Sequence, residues 1–242
     1  MKLIKPIIVA LVGLASSAVV SQAQGLNFSS SPGSTIQFNG GAQSFQFNPS
    51  TFTGFNNTYL GTQWFVGSET GGTGSAVGLF GSVGNGPFNY GPVTGAPGPL
   101  QSALVLGPLG ALDIKDGSGF DVTGNVDWVQ IDTFNFSGAL NASLVVNITG
   151  LSYGGINPDL QSLVAGGSGQ VTLTFQFSPG ETLSQLSSGS SPFTTSYSGS
   201  ISPTPEPTTV GLLSLGLGSV IFARVFRKTN AKAADKTSSG QI

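Results

Sequence analysis

Apolar and polar positions alternate with period two along most of residues 24–200. Val171-Thr172-Leu173-Thr174-Phe175-Gln176-Phe177 is the plainest run: four apolar residues alternate with Thr, Thr and Gln, the pattern of a strand buried on one face. Ile36-Gln37-Phe38 and Phe45-Gln46-Phe47 flank Asn39-Gly40-Gly41, which is hairpin chemistry. Trp64–Val66 and Val77–Phe80 read as short strands, and 126–136 and 140–151 as long ones. No window carries a helical period of useful length, and 158–165 predicts a single helical turn. The Gly/Pro-rich stretch 67–108 predicts long loops. The Ser/Gly/Pro-rich stretch 187–207 predicts a linker. Many short strands between Gly, Pro and Asn turns predict an all-β, antiparallel sandwich or jelly-roll-like domain over residues 24–200. No fixed-period repeat is present, which argues against a β-solenoid.

Two longer apolar runs frame this region. Residues 1–23 begin with Lys2 and Lys5, continue apolar from Ile7 to Val20, and end Ser21-Gln22-Ala23. Basic start, short apolar stretch and small residues at −3 and −1 predict a secretory signal peptide, cleaved between Ala23 and Gln24. The second run follows Ser202-Pro203-Thr204-Pro205-Glu206-Pro207. Residues 208–226 are 19 in number, long enough to cross a bilayer as a helix, since about 20 suffice. Arg224, Arg227 and Lys228 close the run and are expected to stay cytoplasmic. Residues 229–242 form a polar tail.

Pro205-Glu206-Pro207, a Thr-rich step, a Gly/Leu-rich span and a terminal Arg/Lys cluster resemble the PEP-CTERM sorting signal, also catalogued as an ice-binding-protein C-terminal motif. The resemblance covers about residues 203–228, with the whole signal spanning 201–228. It implies an exported chain, handled by the Sec translocon and signal peptidase and then held briefly in the inner membrane. It also implies processing near the motif by an exosortase, a membrane cysteine protease-transpeptidase, in exopolysaccharide-producing bacteria. Such substrates reach the cell surface or the extracellular, biofilm matrix. The polar tail 229–242 departs from the family pattern, which usually stops after the basic cluster.

Composition narrows the chemistry. The chain has 242 residues, no Cys and no His, so disulfides, thiolate zinc sites, Ser-His-Asp triads and cysteine nucleophiles are absent. Only 7% of residues are charged, 37 are Gly and 17 are Phe, which disfavours helical bundles and points to a Phe-rich core. Between residues 24 and 207, Lys115 stands alone against nine acids, a net charge of −8. That surface repels phosphate backbones, so nucleic acid is not an expected partner.

Candidate site chemistry is sparse. Asp113, Asp116 and Asp121 surround Gly117-Ser118-Gly119-Phe120, a partial match to one calcium-binding nonapeptide turn; that fold needs tandem copies, so solvated turn aspartates are the favoured reading and calcium the minor one. A weak carboxylate glycosidase would need two acids across a cleft, and Glu69 and Glu181 are the nominal pair. Trp64, Trp128, Tyr59, Tyr90, Tyr153 and Tyr197 are either a sugar-stacking platform or core. Thr172, Thr174, Thr194 and Thr195 prompt an ice-binding reading, which requires one flat Thr array. The leading expectation is a non-enzymatic, cofactor-free structural or adhesive matrix protein, with exopolysaccharide as its expected partner. A carbohydrate- or ice-binding module ranks second and the glycosidase third. Mass spectrometry of the secreted protein is expected to find Gln24 at the N-terminus and no residue beyond about Pro207; an attached Lys232–Ile242 tail would refute processing.

Overall fold

The structure, a computed structural model, describes residues 24–136 and 139–204. The predicted membrane segment, its basic cluster and the signal peptide lie outside them. Among the described residues no helix is long and apolar enough to cross a membrane.

Thirteen strands make one antiparallel sheet. They are β1 Gly25–Ser30, β2 Thr35–Asn39, β3 Ser44–Asn48, β4 Trp64–Thr70, β5 Phe80–Gly84, β6 Phe88–Tyr90, β7 Leu100–Gly107, β8 Gly110–Lys115, β9 Asp121–Phe136, β10 Ala139–Ser152, β11 Ser168–Phe177, β12 Phe193–Thr195 and β13 Tyr197–Pro203. Eight of them close a ring in the order β9-β10-β11-β13-β1-β4-β5-β8 and back to β9. The expected all-β, antiparallel class is therefore present, but the sheet closes into a barrel where an open sandwich was anticipated. Closure depends on β9. Its first half pairs with β8 through Asp121–Val126, and its second half pairs on the same edge with β7 through Gln130–Phe134. From β7 a branch continues through β6, β3 and β2 to β12.

The branch packs by its phenylalanines. Phe38 of β2 is fully buried and meets the rings of Phe45, Tyr90, Phe175 and Phe177 at 5.3–6.2 Å. Phe47 of β3 stacks on Trp128 of β9 at 5.5 Å and meets Tyr197 of β13 at 5.1 Å. Each buried ring removes a large apolar area from water and adds offset or edge contacts. Trp64, Trp128, Tyr90 and Tyr197 are all at most 4% exposed, so these four are core. A void of about 20 Å³ remains among Phe28, Phe47, Trp64, Trp128 and Tyr197, room for roughly one water. The barrel interior is filled by side chains rather than left open for a ligand.

Several segments differ from expectation for identifiable reasons. The stretch 67–108 contains β5, β6 and β7, and β5 starts at Phe80 because residues 75–78 turn. The stretch 187–207 contains β12 and β13 rather than a linker, and β13 lies between β11 and β1. Its Ser/Gly composition conceals it: only Tyr197 and Ile201 point inward as large apolar side chains. Gly199 is required there, because a Cβ would collide with the Thr172 carbonyl and the Phe28 ring. Two short helices also form. In α1, Pro158–Val164, the Asn157 side chain accepts from the amides of Asp159 and Leu160. In α2, Leu183–Ser188, Thr182 and Gln185 form a reciprocal capping box. Each buries two leucines. Phe38→Ala is expected to lower unfolding free energy by about 3–5 kcal/mol, read by denaturant melts, because it empties the joint between branch and barrel.

Candidate functional site

The outer face of the ring carries an ordered row of side chains. Cross-strand pairing sets Thr174 (β11), Ser198 (β13), Ser29 (β1), Phe65 (β4), Phe80 (β5) and Lys115 (β8) side by side. One pleat along, Thr172, Ser200, Asn27 and Ser68 form a second row, and Gln170 beside Ser202 begins a third. Strands lie about 4.8 Å apart, so polar groups repeat at that interval across the face. Over β11, β13, β1 and β4 these rows contain hydroxyls and amides but no ionisable side chain. Asn27 Nδ2 donates to Ser68 Oγ at 3.1 Å, and the Thr174 and Ser198 hydroxyls are 3.3 Å apart. A groove of about 670 Å³, lined in part by Ser29, Ser30, Thr174, Gln176, Ser196 and Ser198, opens on this face.

An aromatic ledge borders the hydroxyl rows. Phe65 and Phe80 are half-buried cross-strand partners, and Tyr59 packs against both, at 6.1 and 5.8 Å between ring centroids. Of the six aromatics singled out in the sequence, Tyr59 alone joins this ledge. Tyr153 instead donates to Asp116 and accepts from the Asn157 amide. Phe65 and Phe80 escaped the sequence reading because their outward direction is set by register, which alternation in strands this short does not fix. Thr194 lies opposite Gln37 on the branch, so Thr194 and Thr195 do not extend the Thr172–Thr174 pair into one array.

The acidic residues fall into separate groups. Lys115 Nζ sits 2.7 Å from Asp113 and 2.6 Å from Asp121, and their hydrogen bonds, Asp113 first, push its ammonium up to about 12. Asp116 turns into its own loop. It accepts from the Ser118 hydroxyl and amide, from Tyr153 and from the Phe120 amide. Desolvation raises its carboxyl, but these bonds outweigh it and bring it down to about 2. The three calcium candidates thus serve one lysine and one turn. Among the described residues no three acidic side chains converge as a metal cluster.

Glu69 and Glu181 are not brought together; the carboxylate meeting Glu69 belongs to Asp159 at the start of α1. Asp159 is 2% exposed and accepts from the amides and hydroxyls of both Thr73 and Ser75, at 2.6–2.9 Å. Burial opposes its charge, yet these four donors hold it well below the ordinary carboxylate range. Glu69 accepts from the Gly74 and Ala76 amides, and its carboxyl is raised, first by burial and further by Asp159. The pair therefore pins loop 71–76 to α1. Two carboxyls in contact do not have the separation of roughly 5–9.5 Å that glycoside hydrolysis uses. Sequence offered one clue to this, the Thr-Gly-Ser donors beside Glu69, but nothing connecting them to Asp159.

Of the sorting-signal residues, Pro205, Glu206, Pro207, Arg224, Arg227 and Lys228 lie outside the described residues, as does Ala23; Gln24 is described and buried. Comparison with protein-family models, curated proteins and solved structures returns no match.

Asp159 binds its proton less tightly in the fold than in the unfolded chain. Its contribution is full above the unfolded value, about 3.9, and is lost as pH falls through the lower folded value. Asp159→Asn is expected to cost about 1–3 kcal/mol at pH 7, since buried donors lose their charged acceptor. It should also flatten the acid limb of stability between pH 5 and 2, as followed by urea melts across that range.

Proposed function

We propose that this chain is an exported cell-surface or matrix protein whose barrel is a structural and adhesive module for neutral polysaccharide. The reading rests chiefly on the outer face of β11, β13, β1 and β4: rows of hydroxyl and amide groups without charge, bordered by Tyr59, Phe65 and Phe80. A sugar chain offers the same chemistry in return, hydroxyls for the rows and C–H faces for the rings. Each hydrogen bond exchanged with water contributes little alone, so binding comes from repetition along an extended polymer. The filled barrel interior supports surface contact over enclosure of a small ligand.

The cuts that the export reading requires fall outside the described strands. β1 starts at Gly25 and β13 ends at Pro203. Cleavage after Ala23 and exosortase processing at Pro205–Pro207 would leave every described strand intact. The basic residues Arg224, Arg227 and Lys228 would hold the stop-transfer segment until that processing.

The test is co-sedimentation of the protein with insoluble neutral polysaccharide. Binding is expected to persist in about 1 M salt, because exposed charge contacts, which salt screens, are not its basis. The triple variant Thr172→Val, Thr174→Val, Ser198→Ala should weaken binding at least tenfold with little change in melting temperature, and Phe65→Ser should weaken it independently. Retained affinity in both variants would overturn the assignment of this face.

A further inference from the structure

We propose that Glu69, Asp159 and Gln24 form a binding site for a divalent cation, calcium by its chemistry. The first observation is the pair itself. Glu69 lies near the end of β4 and Asp159 in the first turn of α1, and their carboxyl groups converge at Gly72. Among the described residues Lys115 is the sole Lys or Arg, and its ammonium lies with Asp113 and Asp121. No side-chain cation therefore balances Glu69 and Asp159 there.

The second observation is independent. Gln24 is 5% exposed, and its Nε2 is buried without a hydrogen-bond partner. That atom points into the acid pair: Gln24 Nε2, Glu69 Oε2 and Asp159 Oδ1 lie 2.6, 2.5 and 3.1 Å from where a Cβ on Gly72 would stand. The two ends of an amide exchange on a half-turn. Turned over, Gln24 presents Oε1 to the same place, and three hard oxygens converge. Without a cation that arrangement sets three acceptors together; with one it satisfies all of them.

The surroundings suit calcium. Thr73 Oγ1 and Ser75 Oγ lie against Asp159, and Ser75 Oγ has one proton for two acceptors in reach, Asp159 and Asn157. Hydroxyl lone pairs and water can complete the 6–8 oxygens calcium takes at about 2.3–2.6 Å. Gly71 and Gly74, at φ 75° and 88°, curl loop 71–76 around the carboxylates as only glycine does readily. Magnesium demands a tight octahedron of about 2.0–2.1 Å, to which a loop with two carboxylates and an amide is less suited.

The experiment uses the full-length chain, stripped with EDTA and titrated with calcium or magnesium chloride by calorimetry and by melting temperature at pH 7. Calcium is expected to bind one site with a dissociation constant in or below the millimolar range of extracellular modules and to raise the melting temperature. Gln24→Leu and Glu69→Gln should each weaken binding about tenfold or more, while Asp116→Asn leaves it unchanged. No heat and no shift at about 10 mM calcium would overturn the proposal. So would binding unaltered in both Gln24→Leu and Glu69→Gln, which places the ion elsewhere, and magnesium acting as well as calcium, which removes the calcium assignment.

Discussion

Everything in the barrel hangs on the pairing of β9. One edge of this 16-residue strand bonds β10 over nearly its whole length; the other is divided between β8 and β7. The division falls beside an irregularity, where Trp128 and Gln130 oppose adjacent residues of β10 and Val129 is the extra residue. A bulge at that point increases local twist and bends the strand. The same strand can then close the ring with its first half and launch the branch with its second. Trp128 stands at this junction, in ring contact with Phe45, Phe47 and Phe88 of the branch.

Closure also answers a difficulty set by composition. A chain with 7% charged residues has few charges with which to guard exposed sheet edges against pairing with other molecules. The ring leaves none of its eight strands with two open edges. In the branch, β6 and β12 are three residues each, too short to template much association. The polar groups of the outer face over β11, β13, β1 and β4 are those of Ser, Thr, Asn and Gln, and that substitution of hydroxyl and amide for charge is the chemistry on which the proposed polysaccharide contact rests.

The long strands were legible because alternation is strong wherever one face is buried and the other wet. β11 shows it without exception, from Gly169 inward to Gln176 outward, and the β2–β3 hairpin follows from Asn39-Gly40-Gly41 and the Phe pairs on either side. β13 was illegible because it presents Gly199 and two apolar anchors where a strand ordinarily presents four. α2 was hidden for a similar reason: six residues with two leucines have no measurable period, and only the Thr182–Gln185 cap marks them. The site residues divide along the same line. Asp113-x-Lys115 already places opposite charges on one strand face, and Asp121 follows from the β8–β9 register. The approach of Glu69 to Asp159, 90 residues apart, depends on where α1 docks, and no local pattern carries that information.

The acid pair and the proposed route out of the cell bear on one another. Loop 71–76 has little apolar burial beyond Ala76, so its order rests on Glu69, Asp159 and the donors they hold. A weak calcium site there contributes stability only where the ion is plentiful, since binding stabilises in proportion to the logarithm of concentration over dissociation constant. Outside the cell, at millimolar calcium, the loop and α1 would be held to β4 and to the first residue of the processed chain. Before export the two carboxylates would oppose each other, leaving this corner the least settled part of the fold. On the proposed route, an ion-dependent contact at Gln24 would be loose while the chain crosses the membrane and firm once it reaches the matrix.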